Sequence, residues 1–350
     1  MPMPDDAPDP AFDALLGDPR MALRRPPPHL FLTDLRRAAN AFQARTPRSD
    51  VAAVADHVVP GPGGPIPVRL YRPTLERAAA ILFFHGGGFI FGNLDTHDAM
   101  CRILSNASGR TVVAVDYRLA PEHPFPAALD DAQAALEWLR RETRSLDLDP
   151  DRIAVAGDSA GGHIALGLAL RCRDESVPLD HIGLIYPLLD PAGDSTSAVE
   201  FAQGYMLTAS FLAWAWDAYR GGGVADPAVD LTRADLHGLP ATTIVTAQFD
   251  PLRDEGEALA RRLSDAEVDV ALRRYPGMIH GFAGLPQLTP VADAAIAFVA
   301  SRIAPSQASA TQLSGGHPDR PVETDNLTVE HRVGDDRRDQ LRIFLRASEP

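Results

Sequence analysis

One stretch constrains this chain more than any other: Ile153-Ala154-Val155-Ala156-Gly157-Asp158-Ser159-Ala160-Gly161-Gly162. An apolar run ends in Gly-x-Ser-x-Gly, and a helix-forming segment follows at once. That spacing predicts a sharp turn from a strand end into a helix N-terminus, with the serine on a strained backbone and its hydroxyl raised into the open. Gly157 and Gly161 fit because a Cβ at either place would collide with so tight a turn. The free N–H groups of the new helix point back at the site and favour negative charge there.

A serine hydroxyl needs a base, a group to orient that base, and donors for the oxyanion it generates. The base candidate is His280, on a loop after the last strand pattern, flanked by Gly277 and Gly281. Among the other histidines, His163 falls inside the helix after the turn and His85 in a glycine loop. His97 and His123 lie on earlier loops with no acid in a suitable order. The acid candidate is Asp250, just past the strand pattern Thr243–Thr246, with Asp190 as its rival. His85-Gly86-Gly87-Gly88-Phe89 offers oxyanion donors, since consecutive glycines let backbone N–H groups approach a substrate. Gly87, Gly88 and Ala160 are the three candidate amides. No Lys follows the glycines, so a phosphate-binding P-loop is excluded. No H-E-x-x-H or other close ligand spacing supports a metal site.

Around this centre the chain alternates. The continuous apolar run Ala79–Phe84 reads as a strand buried on both faces, and Thr111–Val115, Ile153–Ala156, Ile182–Tyr186, Thr243–Thr246 and Val268–Tyr275 read as further strands. Helix patterns fall near His97–Ser108, Ala127–Thr143, Ala160–Arg171, Asp254–Ala266 and Pro290–Ile303. Repeated β–α units predict an α/β fold with a mostly parallel sheet and helices on both faces. Val51–Val59 and Ile66–Tyr71 flank a Gly/Pro loop and predict a hairpin.

Residues 191–238 interrupt the rhythm with an aromatic-rich helical insertion. The organisation expected is N-terminal helices over 1–50, a core of 51–190 and 239–304, the insertion 191–238, and a tail over 305–350. The tail reads either as disordered or, from Leu327–Val333 and Leu341–Leu345, as a hairpin.

A formal net charge of −14 makes nucleic acid and membrane surfaces poor partners. All 33 basic residues are arginine, a genome-composition signature rather than a functional one. Cys101 and Cys172 have no C-x-x-C spacing and read as free thiols. With no basic and apolar leader pattern at Met1–Pro10 and no run of membrane-span length, the chain reads as cytoplasmic.

Five motifs then carry a resemblance. They are His85-Gly86-Gly87-Gly88, Asp116-Tyr117-Arg118-Leu119-Ala120-Pro121-Glu122, Gly157-Asp158-Ser159-Ala160-Gly161-Gly162, Asp250-Pro251-Leu252-Arg253-Asp254-Glu255-Gly256 and His280-Gly281-Phe282. In this order the sequence resembles the bacterial hormone-sensitive-lipase-like esterases of the α/β-hydrolase fold, over about residues 10–304. The order Ser159, Asp250, His280 matches the one expected for that fold. The resemblance implies a helical cap built from the N-terminal helices and the insertion. It implies a cofactor-free carboxylesterase acting on small-molecule esters with short to medium acyl or aryl groups, and it is compatible with a homodimer. It makes Ser159 the nucleophile, His280 the base, Asp250 the acid, and Gly87, Gly88 and Ala160 the oxyanion donors.

Candidate pocket residues are Phe89, Phe91, Tyr186, Met206, Leu207, Phe211, Trp214 and Ile279. The same triad chemistry serves amide, formamide, carbamate or lactone hydrolysis. A non-catalytic ligand receptor is a further alternative, one that retention of Ser159, Asp250 and His280 argues against.

Overall fold

Runs such as Ala78–Phe84 have no polar face, so they can only lie in a sheet covered on both sides. In the computed structural model, which describes residues 7–24, 32–43, 46–222 and 227–303, they do so. The strands are β1 (Ala53–Gly61), β2 (Gly64–Arg72), β3 (Ala78–Phe84), β4 (Thr111–Val115), β5 (Leu148–Asp158), β6 (Ile182–Ile185), β7 (Thr242–Phe249) and β8 (Val270–Ile279). Among the described residues they form one eight-stranded sheet in the order β1-β2-β4-β3-β5-β6-β7-β8. β1 and β2 are an antiparallel hairpin, and β2 joins β4 antiparallel. From β4 through β8 every pairing is parallel.

The helices are α1 (Asp13–Leu16), α2 (Leu32–Gln43), α3 (Asp98–Ser108), α4 (Ala127–Glu142), α5 (Ala160–Asp174), α6 (Thr196–Glu200), α7 (Ala209–Arg220), α8 (Arg253–Asp265) and α9 (Val291–Ile303). Alternation along β3 and β5 divides the interior in two. Leu82, Phe84 and Val155 face one core with Leu136 of α4, Leu166 of α5 and Leu259 of α8. Ile81, Phe83 and Ala154 face the other with Leu104 of α3 and Ile296 of α9. Each of the leucine, isoleucine, valine and phenylalanine side chains contributes about 1.5–3 kcal/mol by leaving water.

Two segments far apart in sequence meet above the C-terminal ends of the parallel strands. Leu23 pairs with Leu207 as an isolated parallel bridge. Leu23 N–H donates to Met206 O at 2.7 Å, and the Thr208 hydroxyl donates back to Leu23 O while also capping α7. On α2, the Arg36 guanidinium grips Glu122 with two bonds of 2.8 Å and donates from Nε to Ile90 O at 2.8 Å. Cys101 and Cys172 are free and buried. No helix among the described residues is long and apolar enough to cross a membrane. The sequence-based expectations for residues 305–350 lie outside the described residues.

Candidate active site

The site lies where β5, β7 and β8 end. Each strand hands the chain directly to one polar residue: Ser159 after Asp158, Asp250 after Phe249, His280 after Ile279. Ser159 has φ +52° and ψ −119°, a strained conformation for a side-chain-bearing residue, costing about 1–3 kcal/mol. Its N–H is held by Ile185 O at 2.9 Å. The turn is tight enough to demand glycine twice. A Cβ on Gly157 would strike the Gly161 carbonyl, and one on Gly161 would strike Phe84 O.

Asp250 is fully buried. Its Oδ1 accepts the Leu252 N–H at 2.8 Å, and its Oδ2 lies 2.8 Å from His280 Nδ1. The carboxylate can only accept, so Nδ1 carries the imidazole proton. That leaves the Nε2 lone pair toward Ser159 Oγ, 3.0 Å away, and the hydroxyl donates to it. Ser159 and His280 are 7% and 6% exposed, enough to meet a small molecule while excluding bulk water. Asp190 is elsewhere: its N–H, with that of Leu189, donates to the carboxylate of Glu255.

The glycine loop sits beside the serine. Gly87 and Gly88 have φ of +122° and +59°, where a side chain would be strained, and Gly87 O is taken by the N–H groups of Ile90 and Phe91. The amides of Gly87, Gly88 and Ala160 have no acceptor among the described residues. Such free N–H groups at a helix start and a glycine turn are equipped to receive an oxyanion.

Ser159, His280, Gly87 and Gly88 all open on one cavity of about 210 Å³. Its remaining wall is mostly apolar, with Thr96, His97, Asp158 and Tyr186 as the exceptions. Met21, Leu23, Leu35, Ala38 and Ala39 come from the N-terminal segments, and Met206, Leu207, Phe211 and Leu212 from the insertion. Of the predicted pocket residues, Phe91, Tyr186, Met206, Leu207 and Phe211 line it. Phe89, Trp214 and Ile279 do not. Phe89 stacks on Tyr219 with centroids 3.8 Å apart, Ile279 is fully buried in the sheet-side core, and Trp214 packs edge-on against Phe211.

His163 is buried among Phe89, Trp216 and Tyr219, with its pKa pushed down by burial to about 4. Burial holds His85 lower still, at about 3, while its Nδ1 bonds Gly86 O at 2.8 Å. Among the described residues no three His, Cys, Asp or Glu side chains cluster as metal ligands.

Residues 81–284 match a family described as alpha/beta hydrolase fold. The chain is similar to the carboxylic ester hydrolase LipN of Mycobacterium tuberculosis, 41% identical over 246 residues, which are 67% of this chain and 65% of LipN. The chain belongs to the hormone-sensitive-lipase-like esterases of the α/β-hydrolase fold. Within this esterase family it is also similar to an ethyl acetate hydrolase of Pseudomonas putida, at 37% identity over 68% of this chain and 77% of that one. An esterase structure from the archaeon Pyrobaculum calidifontis superposes with a TM-score of 0.79, at 37% identity, over 85% of this chain and 98% of that one. The pairing of two cavity residues of this esterase, Asp158 and His97, was not among the sequence-based expectations. They are 61 positions apart and joined by a 3.2 Å contact that no local pattern signals.

Proposed function

We propose that the chain is a serine carboxylesterase for small-molecule esters with short to medium acyl or aryl groups. In this reading His280 takes the proton of Ser159 as Oγ attacks the ester carbonyl carbon. The carbonyl electrons move onto oxygen, and the resulting oxyanion is held by the amides of Gly87, Gly88 and Ala160. Asp250 keeps the imidazole in its working tautomer and stabilises the imidazolium. Collapse of the intermediate expels the alcohol, which takes the proton from His280, and leaves Ser159 acylated. Water then repeats the attack on the acyl-enzyme and releases the acid. The N-terminal segments that carry Met21, Leu23, Leu35, Ala38 and Ala39 and the inserted segment that carries Met206, Leu207, Phe211 and Leu212 act as the cap that closes the apolar cavity over the ester.

The observation that carries this reading is the unbroken relay from Asp250 Oδ2 through His280 to Ser159 Oγ, at 2.8 and 3.0 Å. The Pseudomonas relative is an ethyl acetate hydrolase, and an ester of that size agrees with a cavity of about 210 Å³. The test is initial rate against p-nitrophenyl esters of increasing acyl length, with Ser159→Ala as control. Rates that peak at short to medium chains and fall by at least about 10³-fold in the variant support the proposal. A folded wild-type protein inert to every chain length would refute it and turn attention to amide or carbamate substrates.

A further inference from the structure

The reaction just described leaves one buried acid of the cavity without a task. Asp158, the neighbour of the nucleophile, is 6% exposed and lines the same cavity. Its Oδ1 accepts the Gly86 N–H at 2.8 Å and lies 3.2 Å from His97 Nε2. His97 precedes α3 and also lines the cavity. Its Nδ1 is 2.9 Å from Thr96 Oγ1, which in turn bonds both the N–H and the C=O of Asn93. A chain of hydrogen bonds therefore runs from Asn93 through Thr96, His97 and Asp158 to Gly86.

Gly86 opens the loop that carries Gly87 and Gly88, and side chains fasten it at both ends. Asp158 takes its N–H, and His85 Nδ1–H donates to its C=O. The clamp is close: a Cβ on Gly86 would lie 2.5 Å from Asp158 Oδ2, and one on Gly92 would lie 2.5 Å from Gly86 O. A loop so fixed cannot drift relative to Ser159.

The arrangement has an electrostatic requirement. A bare carboxylate beside Ser159 would oppose the negative charge that develops on the substrate oxygen. Burial pushes the Asp158 carboxyl up. The His97 ring, by its charge and its hydrogen bond, and the Gly86 amide outweigh this and hold it below the ordinary carboxylate range. His97 is thus the group that balances Asp158.

We propose that His97 and Asp158 form a positioning pair for the oxyanion hole. His97 compensates the Asp158 charge, and Asp158 anchors Gly86 so that the Gly87 and Gly88 amides face the carbonyl attacked by Ser159. This rests on the esterase reading above. Neither residue touches the reacting atoms; both act through the glycine loop.

The test compares His97→Leu, His97→Gln, Asp158→Asn and the double variant His97→Leu/Asp158→Asn with wild type. Three readouts apply: kcat and KM on p-nitrophenyl butyrate, the rate of Ser159 labelling by a p-nitrophenyl phosphonate, and affinity for a trifluoromethyl ketone. The ketone accepts Ser159 Oγ at its carbonyl carbon and leaves an oxyanion in the hole.

His97→Leu should lower kcat about 10- to 100-fold, less than the loss of a whole oxyanion donor, with KM within about threefold. Ketone affinity and labelling rate should fall in parallel. The double variant should recover most of the loss, because the amide oxygen introduced by Asp158→Asn still accepts from Gly86 while the unbalanced charge is gone. His97→Gln, which keeps a donor to Asp158 but supplies no charge, should recover only part of it. Should His97→Leu fail to fold, His97→Gln and His97→Gln/Asp158→Asn carry the test: the first should lose about 3- to 10-fold in kcat and ketone affinity together and the second recover it, and no loss in the first would overturn the proposal.

Near-normal kcat and ketone affinity in His97→Leu would overturn the proposal. So would a loss confined to KM, or a double variant no better than the single one. A wild-type protein that the phosphonate does not label would overturn the esterase reading as well, whereas labelled wild type with unaffected variants overturns the positioning pair alone.

Discussion

Replacing Asp250 by asparagine should disable the site without disturbing its shape. In the native protein Leu252 N–H points at Oδ1, and His280 Nδ1 faces Oδ2, each at 2.8 Å. Leu252 can only donate, so the asparagine oxygen stays on its side and the NH₂ turns toward His280. Two donors cannot face each other, and the imidazole moves to its other tautomer. Nε2 then carries the proton and points it at Ser159 Oγ, 3.0 Å away, where a lone pair is required. The stabilisation of the imidazolium is lost in the same step. A tautomer switch of this kind lowers kcat about 10⁴-fold, equivalent to about 5 kcal/mol of transition-state stabilisation. KM and melting temperature should stay close to wild type because volume and the Leu252 bond are kept. The assay is steady-state release of p-nitrophenol from the butyrate ester, with a parallel thermal melt. A variant that melts normally and retains more than about a tenth of wild-type kcat would show that Asp250 does not orient His280.

Three further outcomes follow from the same geometry. Gly161→Ala must force a Cβ into Phe84 O, a backbone atom with no room to yield, and should destabilise the protein by at least about 3 kcal/mol in a denaturant titration. His163 is held neutral in the fold, with its pKa down from 6.5 to about 4, so below pH 6.5 the unfolded chain gains a proton that the native state refuses. Its contribution is complete above pH 6.5 and is lost as pH falls toward 4, by about 3 kcal/mol at most; His163→Gln should therefore lose less stability than wild type across that window. Arg36→Ala removes the two-pronged grip on Glu122 and the bond to Ile90 O that fasten α2, whose Leu35, Ala38 and Ala39 line the cavity; KM should rise about 3- to 10-fold with a smaller change in kcat, and unchanged kinetics would show that α2 is held by its apolar contacts alone.

What could be read from the sequence follows what burial writes into it. The parallel strands were visible because both of their faces need apolar side chains. Thr111–Val115 emerges with the bounds its pattern predicts. Strand ends were harder. β8 continues through Pro276 and Gly277 to Ile279, although that dipeptide reads as a turn. A register shift between Ala247 and Phe249 lets Ile279 pair with Phe249 beyond it. β5 begins at Leu148, in a polar stretch that joins the sheet by backbone pairing with Ala78 rather than by an apolar pattern.

The position of Ser159 was legible because its motif is local. The contacts of Asp158 were not, because its partners Gly86 and His97 come from the connection between β3 and α3, 72 and 61 positions away. Nor does composition say which aromatic rings face the cavity. Phe91 and Phe89 are two residues apart, yet one lines the wall and the other lies under Tyr219.

The placement of Ser159, Asp250 and His280 at three strand ends also bears on how the protein is born. His280 and Ser159 are separated by 121 residues, and the parallel pairs that align them close only through long crossovers. Such non-local pairing is slow to form. An emerging chain can display the strained serine turn well before β8 docks and delivers the imidazole. Until then the hydroxyl has no base, and the protein carries an inert nucleophile. Hydrolytic activity therefore arises with the last strand to be added, and its recovery after dilution from denaturant should lag the return of helical signal, reporting on the completion of the sheet rather than on its beginning.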